Sequence, residues 1–81
     1  MQIDRSTPPE IIRAFRARVG QSQEALSADL GLGENAVYRY EQLGAPAWLR
    51  YALLGLAVTK HRVPATEARR LLDLPSTPER K

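Results

Sequence analysis

The chain has 81 residues, enough for one small domain and too few for two separate cores. It contains no cysteine, which excludes a disulfide framework and a cysteine-ligated zinc site, so apolar packing must stabilise the fold. Its 12 Lys and Arg exceed its 9 Asp and Glu only slightly, a balance that permits an anionic partner without requiring one, and the positive excess lies in residues 45–81.

The first predicted helix begins in the stretch TPPEIIRAFRARVG. Thr7 can cap it, Pro8 suits its first position because the N–H that proline lacks would be unpaired there, and Glu10 completes a capping box. Apolar residues then recur at helical spacing at positions Ile12, Phe15 and Val19, and Gly20 ends the helix. We expect this helix to bury one face.

Two short helices follow in SQEALSADLGLGENAVYRYEQLG. Ser22 is a good N-cap for the second helix, Gly31 ends it, and the third helix begins after Gly33. The residues expected to face inward are Ala25, Leu26, Leu30, Val37 and Tyr40. Neither helix has the roughly 12 to 15 residues that an isolated helix needs, so each must pack against a neighbour. A link of only three residues makes their axes cross steeply, which is the helix-turn-helix arrangement.

The fourth predicted helix, from about residue 46 to about residue 60, has two apolar faces. One consists of Leu49, Ala52, Leu53 and Leu56, and the nearly opposite one of Tyr51, Leu54 and Val58. One core cannot take both. The second face is either covered by Leu71 and Leu72 of a short last helix or forms a two-fold dimer contact through Tyr51, Leu54 and Val58, and the two explanations can coexist.

These elements predict an all-α fold, a compact bundle of four to five helices in one domain over residues 1–74, with the helix-turn-helix motif at about 22–42. The segment PSTPERK, residues 75–81, is predicted to be a flexible tail. The longest apolar run, YALLGLAV, is far shorter than the roughly 20 residues that span a bilayer, and the first residues lack a secretion-signal pattern. We therefore expect a cytoplasmic protein without a membrane partner.

Several residues stand at the spacing typical of the Cro and phage-repressor helix-turn-helix proteins, the XRE family. They are Arg16, Ser22, Gln23, Leu30, Gly31 and Glu41, with Leu32 as the apolar residue of the turn. Over about residues 11–56 the chain resembles this family, which implies a lambda-repressor-like fold. In that family the second helix of the motif lies in the major groove of DNA, where each base pair presents a distinct pattern of donors and acceptors.

The resemblance implies which residues contact DNA. Gln23 would contact a phosphate and support the reading helix, whose outward positions are Glu34, Asn35, Tyr38 and Arg39. Asn is suited to adenine and Arg to guanine, and Arg39 is the strongest candidate for reading a base. Gly33 stands where the family prefers Ser or Thr, so a hydroxyl that could cap the third helix is absent from this position of the DNA face. The resemblance also implies a partly buried ion pair between Arg16 and Glu41.

The leading hypothesis is a sequence-specific regulator of transcription that binds double-stranded DNA. It would be a small homodimeric autorepressor of a phage or mobile-element operon, associated with the nucleoid, and a neighbour such as an anti-CRISPR gene or a toxin could share the operon. The alternative is a protein-interaction module on the same scaffold, such as an antitoxin-like or inhibitor protein, which Glu34 on the reading face favours. The two hypotheses differ in the expected effect of salt. Binding to DNA weakens as salt rises, because phosphate contacts release counterions, whereas the interaction-module hypothesis does not predict this loss.

We expect no enzyme activity, because the sequence shows no paired carboxylates, no glycine-rich phosphate loop and no nucleophile with a base nearby. His61 is the single histidine and has no second ligand in view, so no metal site is expected. No cofactor and no small-molecule ligand is expected either.

Overall fold

The computed structural model describes residues 4–75, which form five helices and no strand. The helices are α1 (Pro9–Val19), α2 (Gln23–Asp29), α3 (Ala36–Leu43), α4 (Trp48–Thr59) and α5 (Ala65–Leu71). The predicted compact all-α bundle is confirmed. Of the predicted flexible tail, residues 76–81 lie outside the described residues.

Local signals for the ends of α1 and α2 act as predicted. Gly20 and Gly31 follow these helices in the left-handed conformation, each with φ 72°, which glycine adopts without the steric cost of a Cβ. The Ser22 hydroxyl accepts a hydrogen bond from the Ala25 N–H at 3.0 Å and so caps α2. These caps are local because each joins residues within one turn of each other.

The predicted capping box at α1 is wrong. The helix begins at Pro9, with Pro8 at the N-cap and no side-chain cap. The Thr7 hydroxyl is buried and donates instead to the Pro46 carbonyl at 2.9 Å, while the backbones of Thr7 and Ala45 exchange two hydrogen bonds of 2.9 Å each. The Thr7 hydroxyl, which the local pattern predicts to cap α1, therefore bonds to a residue 39 positions away along the chain.

The link between α2 and α3 spans residues 30–35, six residues rather than the predicted three. Asn35 has φ −102° and ψ 9°, outside the helical range, and the Ala36 N–H first closes a turn onto the Gly33 carbonyl at 3.0 Å. The helix therefore begins at Ala36, two residues later than the predicted start just after Gly33. The prediction that Ala25 faces inward is also wrong, because its side chain is exposed.

One apolar core joins all five helices. Its buried members are Ile12, Phe15, Leu26, Val37, Ala45, Leu49, Leu53, Ala57, Val63, Ala68, Leu72 and Leu74. Helix α1 packs against α3 and α5, α2 against α3, and α4 against α5. Since Leu72 is fully buried, the last helix folds back onto the core.

The second apolar face of α4 is divided by this packing. Leu54 is partly buried against the core, whereas Tyr51 and Val58 remain 59% and 39% exposed. Trp48, one turn before Tyr51, is also exposed. The face that stays open is therefore an apolar stripe of Trp48, Tyr51 and Val58, and Leu54 is partly buried against the core.

Arg50 of α4 ties together the two ends of the described chain. Its guanidinium donates to the Ser6 carbonyl, to the Thr7 hydroxyl at 3.3 Å and to the Asp73 carbonyl at 3.0 Å. The segment before α1 is thereby held against α4 and against the turn after α5.

Within residues 4–75 no helix combines the length and the apolar character that crossing a membrane requires.

Candidate nucleic-acid interface

Helix α3 presents one continuous solvent face. Val37 and Glu41 are buried on its inner side. The outer side consists of Tyr38, Arg39 and Gln42, together with Asn35 at the N-cap just before the helix, and all four are exposed. These four residues follow the spacing i, i+3, i+4, i+7, so they lie on one stripe of the helix surface. Glu34 and Gly33, just before the helix, are exposed as well. Gln42 was absent from the sequence-based set, although the helical period places it on the same stripe.

Glu41 anchors the inner side of α3. Its side chain is almost fully buried and accepts hydrogen bonds from Arg16 Nε at 2.6 Å, Arg16 Nη2 at 3.0 Å and Gln23 Nε2 at 3.0 Å. Arg13 adds a hydrogen bond of 2.8 Å to the Glu41 carbonyl. The structure thus brings Arg16 and Glu41 together in a two-pronged ion pair, and Gln23 joins α2 to the same carboxylate.

The protonation of Glu41 reflects two opposed effects. Burial alone would raise the pKa of its carboxyl, because desolvation disfavours the charge. The hydrogen bonds from Arg16 and Gln23 and the nearby guanidinium charges outweigh burial and hold the pKa below its ordinary value. Glu41 is therefore ionised at neutral pH and keeps its partners.

Gln23 stands at the first position of α2, where its amide donates to Glu41. A glutamine amide has a second N–H and a carbonyl oxygen, for which no partner lies within hydrogen-bond distance among residues 4–75. The contact with Glu41 joins the start of α2 to α3. The contact with a phosphate stays a prediction.

Ser27 is a residue of this site that the sequence reasoning missed. Its side chain is fully buried in α2, and its hydroxyl accepts a hydrogen bond from the Val37 N–H at 3.0 Å. This bond satisfies one of the free N–H groups in the first turn of α3. Ser27 thus supplies from α2 the capping hydroxyl that Gly33 lacks. No local pattern in the sequence marks this role, because the burial of Ser27 and its partner depend on how α2 packs against α3.

Arg39 is one of the basic residues of this domain that form no ion pair within residues 4–75. Arg18, Arg50 and Lys60 each lie within 4.0 Å of an acidic side chain, respectively Glu67, Asp73 and Asp29. Among residues 4–75, Arg39 and Arg5 have no acidic group within that distance, and neither do Arg62, Arg69 and Arg70. The guanidinium at the centre of the exposed stripe is therefore free to bind an external anion or a base edge.

A groove of about 400 Å³ lies beside α3. It is lined by Asp4, Arg5, Ala36, Arg39, Tyr40, Leu43, Gly44 and Pro46.

His61 lies away from this groove. Its Nε2 is 3.2 Å from Gln21 Oε1, and its ring is nearly perpendicular to the ring of Phe15. Within the described part of the chain no three His, Asp or Glu side chains are grouped closely enough to hold a metal ion.

Comparisons with protein-family models, with curated proteins and with solved structures found no match to this chain. The candidate interface rests on the geometry of this chain alone: Glu41 anchors the inner side of α3, Ser27 caps its first turn, and its outer side is an exposed polar stripe.

Proposed function

We propose that the protein binds double-stranded DNA sequence-specifically, with the exposed stripe of α3 in the major groove, and regulates transcription. The observation that carries the proposal is the composition of this stripe. Asn35, Arg39 and Gln42 are residue types that form paired hydrogen bonds with the edges of adenine or guanine, and Tyr38 lies among them. A stripe of such side chains on one short helix is what major-groove reading requires.

The packing of α3 supports the same function. Base reading needs side chains that are held in register by a rigid element, because hydrogen bonds to base edges are directional. Glu41 ties α3 to α1 and α2, and Ser27 ties its first turn to α2. Three separate interactions thus restrict how α3 can move against the rest of the domain.

Self-association forms part of the proposal. A single small domain offers DNA a limited contact area, and a two-fold dimer that reads an inverted repeat doubles it. The exposed stripe Trp48, Tyr51 and Val58 on α4 is an apolar surface suited to such a dimer. We propose a small homodimeric autorepressor of a phage or mobile-element operon as the biological role.

The experiment that tests the function is binding selection from random duplex DNA with the purified protein. We expect an inverted repeat with half-sites about one helical turn apart, and an affinity for it that falls steeply as salt rises. If no sequence is enriched and no salt-dependent binding to duplex DNA is found, the DNA-binding function is wrong. The domain would then be an interaction module.

A further inference from the structure

The groove beside α3 is built by a close approach of two chain segments. The paired backbones of Thr7 and Ala45 bring the segment before α1 alongside the end of α3. Gly44 makes this approach possible, because a Cβ there would lie 3.2 Å from the Arg5 Cβ and 3.3 Å from the Arg5 carbonyl oxygen, and because its φ is 92°. The position of Arg5 beside α3 is thus fixed by packing.

The two arginines that line the groove form no ion pair within residues 4–75. Arg5 and Arg39 both line it, and neither has an acidic group within 4.0 Å among residues 4–75. Asp4 is the one acidic residue of the lining, and its carboxylate already accepts hydrogen bonds from the Ala47 N–H and from the Ser6 N–H and hydroxyl. Two guanidiniums therefore remain available to an anionic ligand.

The remaining walls of the groove are largely apolar. Leu43 is 54% exposed at the end of α3, and Tyr40 and Pro46 are partly exposed beside it. Apolar side chains around a concave surface with a few charged groups are typical of ligand sites. Duplex DNA offers these walls little, because its backbone is uniformly charged and hydrated.

We propose that this groove binds a short peptide segment of a partner protein in which an acidic residue stands close to a large apolar one. The carboxylate would pair with Arg5 and Arg39, since guanidinium and carboxylate form strong two-pronged hydrogen bonds. The apolar side chain would cover Leu43 and Tyr40. Because Arg39 also belongs to the exposed stripe, a bound peptide would displace DNA, and only this last consequence rests on the proposed function.

The test begins with a displayed library of random short peptides selected on the intact protein. We expect enriched peptides to share an acidic residue next to Leu, Phe or Trp. One such peptide, synthesised and labelled, should bind the parent protein and lose about tenfold or more in affinity with Arg5→Ala and with Leu43→Ser. Arg70→Ala, an exposed arginine on α5, is the matched control and should bind like the parent.

Three outcomes would overturn the proposal. In the first, the selected peptides share no acidic residue next to a large apolar one. In the second, a selected peptide binds Arg5→Ala and Leu43→Ser as tightly as the parent protein. In the third, the peptide changes NMR chemical shifts mainly in α4 and not around the groove. Circular dichroism of each variant checks that it is folded. Peptide binding is measured without DNA, so it can succeed when DNA binding fails. A competition assay on the selected DNA then tests displacement separately, and simultaneous binding of both ligands would contradict it.

Discussion

A buried carboxylate is stable only when its charge is compensated, and Glu41 shows how this domain achieves it. Glu41 is only 2% exposed, and its carboxylate accepts three hydrogen bonds from side chains of two other helices. Arg16 supplies two of them from α1 and Gln23 the third from α2. One side chain of α3 thereby ties this helix to both of its neighbours.

Replacing Arg16 with Ala should destabilise the domain by about 1 to 3 kcal/mol, because a buried carboxylate would lose two charged hydrogen bonds and keep only Gln23 and the more distant Arg13. The melting temperature should fall by at least about 4 °C. Arg18→Ala is the matched control: it removes an arginine from the same helix whose pair with Glu67 is exposed, and it should change little. Equal melting temperatures for the parent and Arg16→Ala would contradict the tie.

The lowered pKa of Glu41 gives a pH dependence with a definite sign. Since its folded-state pKa lies below the ordinary value of about 4.3, the stabilisation is complete above that pH and is lost as the pH falls through the lower value. Glu41→Gln should thus be less stable than the parent at pH 7, and the difference should shrink below about pH 4. Urea unfolding at a series of pH values measures this. A difference that stays constant down to acid pH would show that the charge of Glu41 contributes nothing.

At the scale of elements, α3 depends on α2 for its first turn. The helix has no side-chain cap of its own, and the Ser27 hydroxyl accepts from the Val37 N–H across ten positions of sequence. Both groups are buried, so water cannot replace the bond. The start of the proposed reading helix is therefore positioned by its neighbour.

Ser27→Ala should cost about 1 to 3 kcal/mol by leaving the buried Val37 N–H without an acceptor. Hydrogen exchange should then show a larger loss of protection at the Val37 amide than in α1. Ser22→Ala is the control, because it removes the cap of α2, at about 1 kcal/mol, and leaves the Val37 bond in place. If Val37 exchanges no faster in Ser27→Ala than in Ser22→Ala, Ser27 does not position α3.

The features that the sequence predicts well are those that depend on residues close together in the chain, such as the helix caps. Ser22, Gly20 and Gly31 act on residues within one turn, and their roles follow from local patterns. Thr7 and Arg50 act on partners about forty positions away, and no local pattern reveals such partners. The exposed stripe of α3 could be predicted from helical periodicity, whereas its capping by Ser27 and the groove beside it depend on how elements pack.

At the scale of the whole molecule, the apolar stripe of Trp48, Tyr51 and Val58 on α4 is the surface that we propose for contact with a second copy. We expect sedimentation at micromolar concentration to give a species heavier than the 9.1 kDa chain, and Tyr51→Glu to shift it to the monomer by placing a charge in the interface. Leu54 is a poor probe because it packs against the core.

Tyr38→Glu is the matched control for this surface, because Tyr38 is a tyrosine of similar exposure on α3. It should leave the dimer intact and weaken DNA binding. A parent protein that sediments only as a 9.1 kDa species at high concentration would contradict the dimer.

The most direct test of DNA reading by α3 compares Arg39→Ala with Arg70→Ala on the selected operator and on its single-base variants. Both arginines are exposed, and only Arg39 lies on the proposed reading stripe. Arg39→Ala should lose about 1 to 3 kcal/mol on the best operator and lose preference at one base position per half-site, while Arg70→Ala binds nearly as the parent does. Equal losses on every sequence would make Arg39 a backbone contact, and no loss at all would contradict the proposal that α3 reads DNA.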